Sequence, residues 1–419
     1  MAINSPETDP RSQLFRHGAP VRLEQRNLRL VIGVTSDQTC LVLRGRLRSL
    51  RLAGFKVTLI SSPGESLDRI AAEEGIDAYP LPMKRGIAPF SDLRSFLALC
   101  RFLSRVRPAI ADFSTPKAGL LGNIAGWLTR IPHRVYTLRG LKLEGTRGAK
   151  RRLLLLSERV ASGCADLVLC NSSSLRALAR ELRLGPERKL RLLGDGSSNG
   201  VDTARFSPGS SAVRAEFGFG AEEFVLGFVG RLTKDKGIPD LLEAFDEIAR
   251  AEPLCWLLLV GWFDESEDAL DAGLRQRIAA HPRIRCTGFV IDTVPYYRAM
   301  DLFVLPTHRE GFPNVVLEAS ACGLAVITTE STGARDAVLP EVTGRLIPPE
   351  NSGAISDSVL ELLRDSEKRA RLGAAGRAWI LERYTRERVL GLAAAFYREL
   401  LTPAEAALLR ADVETKSQS

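Results

Sequence analysis

Residues 223–240 read Glu223-Phe224-Val225-Leu226-Gly227-Phe228-Val229-Gly230-Arg231-Leu232-Thr233-Lys234-Asp235-Lys236-Gly237-Ile238-Pro239-Asp240. The run up to Val229 is short, apolar and rich in β-branched and aromatic residues, which suits a strand buried on both faces. A glycine-edged turn follows, and Ile238-Pro239-Asp240 has the proline and acid of a helix start. Strand, turn and helix make half a βαβ unit, and the same alternation continues on both sides. It predicts strands at 28–34, 55–60, 77–81, 109–113, 133–138, 166–170 and 189–193, with helices at 40–53, 65–74, 91–105, 116–129, 149–164 and 172–183 between them. Turn residues at 194–200 and 208–211 break the pattern. It then restarts with strands near 223–229, 255–261, 284–288, 301–305, 324–328 and 344–347, and helices near 238–250, 266–280, 314–322, 352–364, 367–384 and 387–402.

The fold class is therefore α/β, with two doubly wound parallel sheets, each Rossmann-like, facing a cleft. Residues 1–27 form a variable N-terminal segment, 28–200 an N-terminal domain and 201–384 a C-terminal domain. Residues 385–404 form a C-terminal helix packing back toward the first domain, and 405–419 a polar tail frayed from about Glu405. Open α/β sheets bind ligands at the carboxyl ends of their strands, so the cleft between the domains is the expected site.

Composition narrows the classes. The chain has 419 residues, 45% hydrophobic and 26% charged, which is ordinary for globular domains. No apolar run approaches the roughly 18 residues of a spanning helix. The first 27 residues lack the apolar stretch of a secretory signal. Seven cysteines form no CxxC, so buried reduced thiols are expected, and four histidines share no metal-ligand spacing. Residues 1–200 carry 33 Lys and Arg against 17 Asp and Glu, net +16, while 201–419 carry 25 against 33, net −8. A basic half suits a polyanion or an anionic membrane, or is simply a solvated face.

The turn Gly230–Gly237 suits a diphosphate, because a guanidinium grips oxygens bidentately and a lysine adds a point charge beside a helix N-terminus. Taken alone it reads rather as a solvated turn with two ordinary surface cations. It is not a Walker loop, and no GxGxxG follows a strand. After the strand at 301–305 comes Pro306-Thr307-His308-Arg309-Glu310-Gly311-Phe312-Pro313-Asn314-Val315-Val316-Leu317-Glu318-Ala319. Glu310 falls in the loop and Glu318 in the following helix. Taken without the neighbouring turn, Glu318 reads rather as a plain helix-surface acid and Glu310 as a loop acid, and His133 and His308 read as satisfied or surface imidazoles.

Together the two segments, Gly-Arg-x4-Lys-Gly and then Glu-Gly-Phe-Pro-x4-Glu-Ala, resemble the signature of retaining GT-B glycosyltransferases of family four. The resemblance extends through Thr287-Gly288-Phe289-Val290, Asp301–Pro306, Gly333 and the linker Asn199-Gly200-Val201-Asp202, across nearly all of 28–400. Residues 111–122 and Val135–Leu141 further resemble the bacterial capsule, exopolysaccharide and lipid-linked-oligosaccharide branch. The resemblance implies that Arg231 and Lys236 clamp the nucleotide diphosphate with Gly230, that Glu310 meets the donor sugar, and that Glu318 holds the ribose. It places Phe312, Asn314 and Val315 beside the diphosphate and sugar, and Gly288, Phe289 and Val290 beside the base, uracil by preference.

Two positions depart from that pattern. Relatives often carry a glycine pair after the first strand, where this chain has Thr35-Ser36-Asp37-Gln38-Thr39, with Gly45 expected inside the next helix. Some carry a histidine where Arg139 stands. Arginine is no base at neutral pH but stabilises charge, and it serves equally as an interdomain prop. Arg139, Lys117 and Ser36 are candidates for acceptor or interdomain contact.

The implied enzyme moves a sugar from a UDP-sugar, a co-substrate, to a glycan acceptor with retention. It needs no cofactor or metal, acts on a lipid-linked acceptor in surface polysaccharide synthesis, and is cytoplasmic and peripheral on the inner face of the membrane. The basic run Arg147, Lys150, Arg151 and Arg152, joined by Arg101 and Arg105, is the expected membrane contact. A nucleotide-sugar epimerase or phosphorylase, an inactive scaffold and a nucleic-acid-binding protein are the rivals. The last wants aromatics among its cations, and the arginine-rich stretches 44–51, 101–107 and 147–152 hold only Phe102.

Overall fold

The computed structural model describes residues 28–84, 86, 88–407 and 409. The segment 1–27 and most of the tail lie outside the described residues. The first sheet contains β1 (Arg29–Gly33), β2 (Lys56–Ser61), β3 (Asp77–Pro80), β4 (Ile110–Ser114), β5 (His133–Leu138), β6 (Leu167–Cys170) and β7 (Leu190–Leu192). It is parallel throughout, in the order β3-β2-β1-β4-β5-β6-β7. Six helices link the strands: α1 (Arg46–Leu52), α2 (Glu65–Glu74), α3 (Pro89–Val106), α4 (Pro116–Leu128), α5 (Gly148–Cys164) and α6 (Ser173–Glu181). Right-handed crossovers put α3, α4 and α5 on one face and α1 and α2 on the other.

The short α7 (Val213–Glu216) leads into the second domain. There β8 (Phe224–Val229), α8 (Ile238–Ala251), β9 (Cys255–Val260), α9 (Ala272–Ala280), β10 (Ile284–Cys286), α10 (Val294–Tyr297), β11 (Leu302–Leu305), α11 (Asn314–Ala321), β12 (Val326–Thr329) and β13 (Arg345–Ile347) alternate, followed by α12 (Ser352–Arg364) and α13 (Ser366–Arg383). The sheet order is β10-β9-β8-β11-β12-β13, again parallel. Both sheets reverse winding direction at their centre, between β1 and β4 and between β8 and β11, which opens a crevice at each point. Their central strands are almost wholly buried, which is why they read as continuous apolar runs.

The chain passes between the domains twice, and the passages pair. Val201 donates its N–H to the Tyr384 carbonyl at 2.8 Å and accepts from the Arg386 N–H at 2.8 Å. Helix α14 (Arg386–Glu399) then lies against the first domain, where Ala394, Phe396 and Tyr397 join the core beside α1 and β1. The Tyr397 hydroxyl donates to buried Asp112 in the middle of β4, and Arg46 donates to that hydroxyl at 3.2 Å and to the Ser198 carbonyl at 3.1 Å. A buried Asp–Tyr–Arg network thus ties the last helix to the linker.

Four local expectations need correction. Gly45 is not inside a helix: at φ 83° it separates a 3-10 turn (Asp37–Leu43) from α1, and its N–H donates to Glu74 at 2.8 Å. The helix expected over 266–280 begins only at Ala272, capped by the Asp271 side chain, because the acids before it are spent on ion pairs. Strand β10 stops at Cys286, since Gly288 turns the backbone to φ 70°, and Cys286 is exposed whereas Cys40, Cys170, Cys255 and Cys322 are buried. The tail does not fray at Glu405: residues 403–407 are helical and Leu409 is buried in the first core.

Candidate active site

The turn after β8 and the loop after β11 flank the second sheet's switch point, so topology brings Arg231, Lys236 and Glu310 together although about seventy residues separate them in sequence. Gly237 permits the approach: its φ is 72°, and a Cβ there would meet the Pro306 carbonyl oxygen at 2.0 Å. The Lys236 ammonium forms a close ion pair with Glu310, both side chains being largely buried. Arg231 is more open, pairs closely with Asp264 and lies 3.9 Å from Asp235. Burial opposes ionisation of Asp235, yet Lys236, the Thr233 hydroxyl, Arg309 and Arg231 outweigh it and hold its carboxyl below the usual range. Arg309 pairs with Asp235 at 3.3 Å and Asp268 at 2.7 Å.

Asp264, Asp268 and Arg309 were not picked out from sequence. Asp264 and Asp268 sit in the loop after β9, the strand beside β8, and the rule that ligand loops follow strand carboxyl ends would have pointed there.

Glu318 lies one helical turn into α11 and is reached by Tyr297, whose hydroxyl donates to its carboxylate at 2.9 Å and lies 3.3 Å from the Val315 carbonyl. Burial pushes Glu318 up to about 7, against the opposing Tyr297 hydrogen bond and the fields of Arg205 and Arg386. Burial, with Glu318 beside it, raises the Tyr297 hydroxyl well above its ordinary value. Tyr297 is fully buried and gave no signal in sequence. Phe312 packs on Tyr384, ring centroids 5.5 Å apart, and Asn314 accepts a hydrogen bond from Ser197 of the linker at 3.2 Å. Asn314 and Val315 open α11, where the first amides are free of helical partners. Gly288, Phe289 and Val290 lie beyond β10, and the exposed Phe289 ring meets Trp262 edge-on at 5.3 Å. Gly261, before Trp262, passes so near Gly230 that a Cβ would lie 1.7 Å from the Gly230 carbonyl oxygen.

The first domain closes on this site from above. A Cβ on Gly311 would lie 2.4 Å from the Arg139 carbonyl, so β5's exit and the Glu310 loop touch through backbone. Glu144 accepts from Thr332 at 2.6 Å, and the Thr332 carbonyl accepts from the Glu310 N–H at 3.0 Å. Ser174 donates to Asp336 and accepts from the Gly333 N–H at 2.7 Å. An opening of about 810 Å³ runs beside this contact, bordered by Ser174, Arg180, Thr332 and Arg335. Glu267 pairs with both Lys142 at 2.8 Å and Lys150 at 3.0 Å, and these cations push its carboxyl down to about 2.

Of the three remaining candidates, Arg139 meets the Glu310 loop through its backbone only, and Lys117 and Ser36 find their partners within the first domain. The Arg139 guanidinium donates to Ser114 at 3.2 Å and to Ser198 at 3.0 Å, so it props the linker. Burial, with Arg46 beside it, lowers it to about 10. Lys117 is held by Asp92 at 2.6 Å and the Gly86 carbonyl. Ser36 is buried at the exit of β1, where its carbonyl accepts from Thr39 at 2.9 Å and the neighbouring Thr35 and Thr115 hydroxyls pair at 2.7 Å. Hydroxyls occupy the place where a glycine pair would leave room. His308 bonds Asp240 at 2.6 Å. Among the described residues no three His, Cys, Asp or Glu side chains gather as metal ligands, and no helix is long and apolar enough to cross a membrane.

Two facing parallel α/β domains, with a cationic turn and two acids at the switch point of the second, define a GT-B glycosyltransferase. The chain belongs to this enzyme family: the model described as "Glycosyl transferases group 1" matches residues 210–379, and that of a "Glycosyl transferase 4-like domain" matches 42–196. It is 35% identical to the capsular polysaccharide biosynthesis glycosyltransferase CapM of Staphylococcus aureus, over 89% of this chain and 97% of that one. It is 26% identical to an Escherichia coli UDP-Gal:alpha-D-GlcNAc-diphosphoundecaprenol alpha-1,3-galactosyltransferase, over 70% and 76% of the two chains. Among solved structures, Anabaena HepE in complex with UDP and glucose superposes with a TM-score of 0.74 at 20% identity, covering 89% of this chain and all of that one. At that identity the likeness speaks for the fold.

Proposed function

We propose that this glycosyltransferase transfers a sugar from a UDP-sugar to a lipid-linked glycan in surface polysaccharide synthesis, with retention of configuration and without a metal. The observation that carries this reading is the convergence of Arg231, Lys236 and the open end of α11 on one side of the switch point, with Glu310 against Lys236 and Glu318 deeper. The positive groups take the diphosphate, and Glu318 accepts from the ribose hydroxyls. The glycosidic C–O bond breaks with its electron pair leaving on the diphosphate. The acceptor oxygen bonds to the anomeric carbon on the same face, and its proton passes to the departing phosphate oxygen. Arg231 and Lys236 stabilise the charge that develops there. The E. coli relative, named for a UDP-sugar donor and a diphosphoundecaprenol-linked acceptor, and CapM, named for capsule synthesis, support the choice of substrates.

The test is a panel of UDP- and GDP-sugars, run once with EDTA and once with added magnesium or manganese, reading shifts in melting temperature and slow donor hydrolysis. A UDP-sugar is expected to shift and be consumed. A response only to GDP-sugars, or only with added magnesium or manganese, overturns the donor or the metal-independent part of the reading.

The Glu318 carboxyl adds a pH dependence. It titrates near 7 in the folded protein against 4.5 for an ordinary Glu. Between those values the folded state keeps a proton that the unfolded chain has released, so this group's contribution to stability falls as pH rises from 4.5 to 7. Ribose binding prefers the ionised form, so affinity for a UDP-sugar, whose diphosphate does not titrate here, is expected to climb by up to about tenfold per pH unit below 7 and then level off. Calorimetry at several pH values checks this. A flat profile in the wild type, or the same slope in Glu318→Gln, refutes the assignment.

A further inference from the structure

The helix layer on the outer face of the first sheet leaves an apolar face uncovered. On α3, Phe90 is 89% exposed, and Leu93 and Leu97 stand out beside it at positions i, i+3 and i+7. On α5, Leu153, Leu156 and Val160 repeat that spacing and are also exposed. Between them packs α4, whose last turn exposes Trp127. A layer that covers its own sheet has no folding reason to present aromatic and leucine side chains outward on all three of its helices.

Two features place this face and say what it meets. Parallel strands end at the cleft, so the helices that follow them begin there. Phe90, Leu93, Leu153 and Leu156 therefore lie at the cleft end of their helices, and the start of α5 touches the second domain through Lys150 and Glu267. Cations border the apolar residues. Arg94 and Arg101 are exposed on the same side of α3, four and eleven residues after Phe90, and Arg147, Arg151 and Arg152 are exposed at the start of α5. The basic run named from sequence is thus only partly available, because Lys150 is occupied by Glu267. A second copy of this chain would bring like charges against each other, whereas a bilayer with anionic headgroups satisfies both the cations and the apolar tips.

We infer that the outer face formed by α3 and α5 docks on an anionic lipid bilayer, with Phe90, Leu93, Leu153 and Leu156 entering the headgroup boundary beside the mouth of the cleft. This rests on the proposed lipid-linked acceptor, whose headgroup would then enter the cleft without leaving the surface. The attraction combines apolar insertion with headgroup pairing, so it weakens with salt without vanishing.

The experiment is co-sedimentation of the full chain with vesicles of phosphatidylcholine alone or mixed with phosphatidylglycerol. UDP affinity and melting temperature are measured on the same samples. The wild type is expected to bind the anionic vesicles and not the neutral ones. Changing Phe90, Leu93 and Leu97 together to Ser should weaken binding at least tenfold, as should changing Arg94 and Arg101 together to Gln, with UDP affinity and melting temperature unchanged. Equal vesicle binding by wild type and both variants, or none by the wild type, overturns the inference. So does a wild-type dimer that the triple Ser variant dissociates, since the face would then join two copies. Failure to bind UDP with vesicle binding intact would instead strike the donor reading and leave the docking face standing.

Discussion

Arg231→Ala and Lys236→Ala are each expected to lower kcat/KM for the donor by about 10²–10³, because in the proposed reaction each supplies charge to the oxygen on which the departing electron pair accumulates. The two should differ in their structural side effects. Arg231 is partly exposed, so water replaces part of its pairing with Asp264 and its loss should cost the melting curve less. Lys236 is largely buried against Glu310, and removing it strands that carboxylate, so some stability should go with the activity. Arg231→Lys should remain well below wild type, since a point charge cannot replace a bidentate fork. Steady-state kinetics beside thermal melts decide the matter. Near-normal turnover in Arg231→Ala with an intact melt would remove the diphosphate clamp from this turn.

The two acids should fail in opposite ways. Glu310 touches Lys236 and follows directly from β11, whereas Glu318 lies one helical turn deeper with Tyr297. Glu310→Gln is expected to reduce kcat by about 10² while UDP affinity holds or tightens slightly, because Lys236 then gives its full charge to the diphosphate. Glu318→Gln should weaken UDP itself by about tenfold, as a neutral amide replaces the carboxylate proposed to accept the ribose hydroxyls. UDP titrations and turnover measured separately test the split. Weakened UDP in Glu310→Gln together with normal UDP in Glu318→Gln would exchange the roles.

Much of the architecture is legible before any coordinates, for a physical reason. Strands buried on both faces must be continuous apolar runs and the helices between them must carry a one-sided pattern, so Phe224–Val229 and Ile238–Ala251 announce themselves. Their repetition on either side of Gly194–Gly200 is enough to expect two parallel sheets and a cleft. The ends of elements are decided more locally. Gly45 and Gly288 take positive φ, and the acids before Ala272 are drawn into ion pairs, so the pattern alone ran on too far at these points.

What belongs to the sequence, then, is the fold class, the alternation and the pairing of a cationic turn with two acids, because each is carried by residues near one another along the chain. The tertiary structure alone decided the rest. It showed Lys236 against Glu310, Tyr297 beneath Glu318 and Asp264 on Arg231, and it took Arg139 to the linker, Lys117 to Asp92 and Lys150 to Glu267. These partners are 21 or more residues apart and meet only where two switch points and a doubled linker bring strand ends together. A charged side chain's partner depends on which loops converge, and no local pattern encodes that convergence.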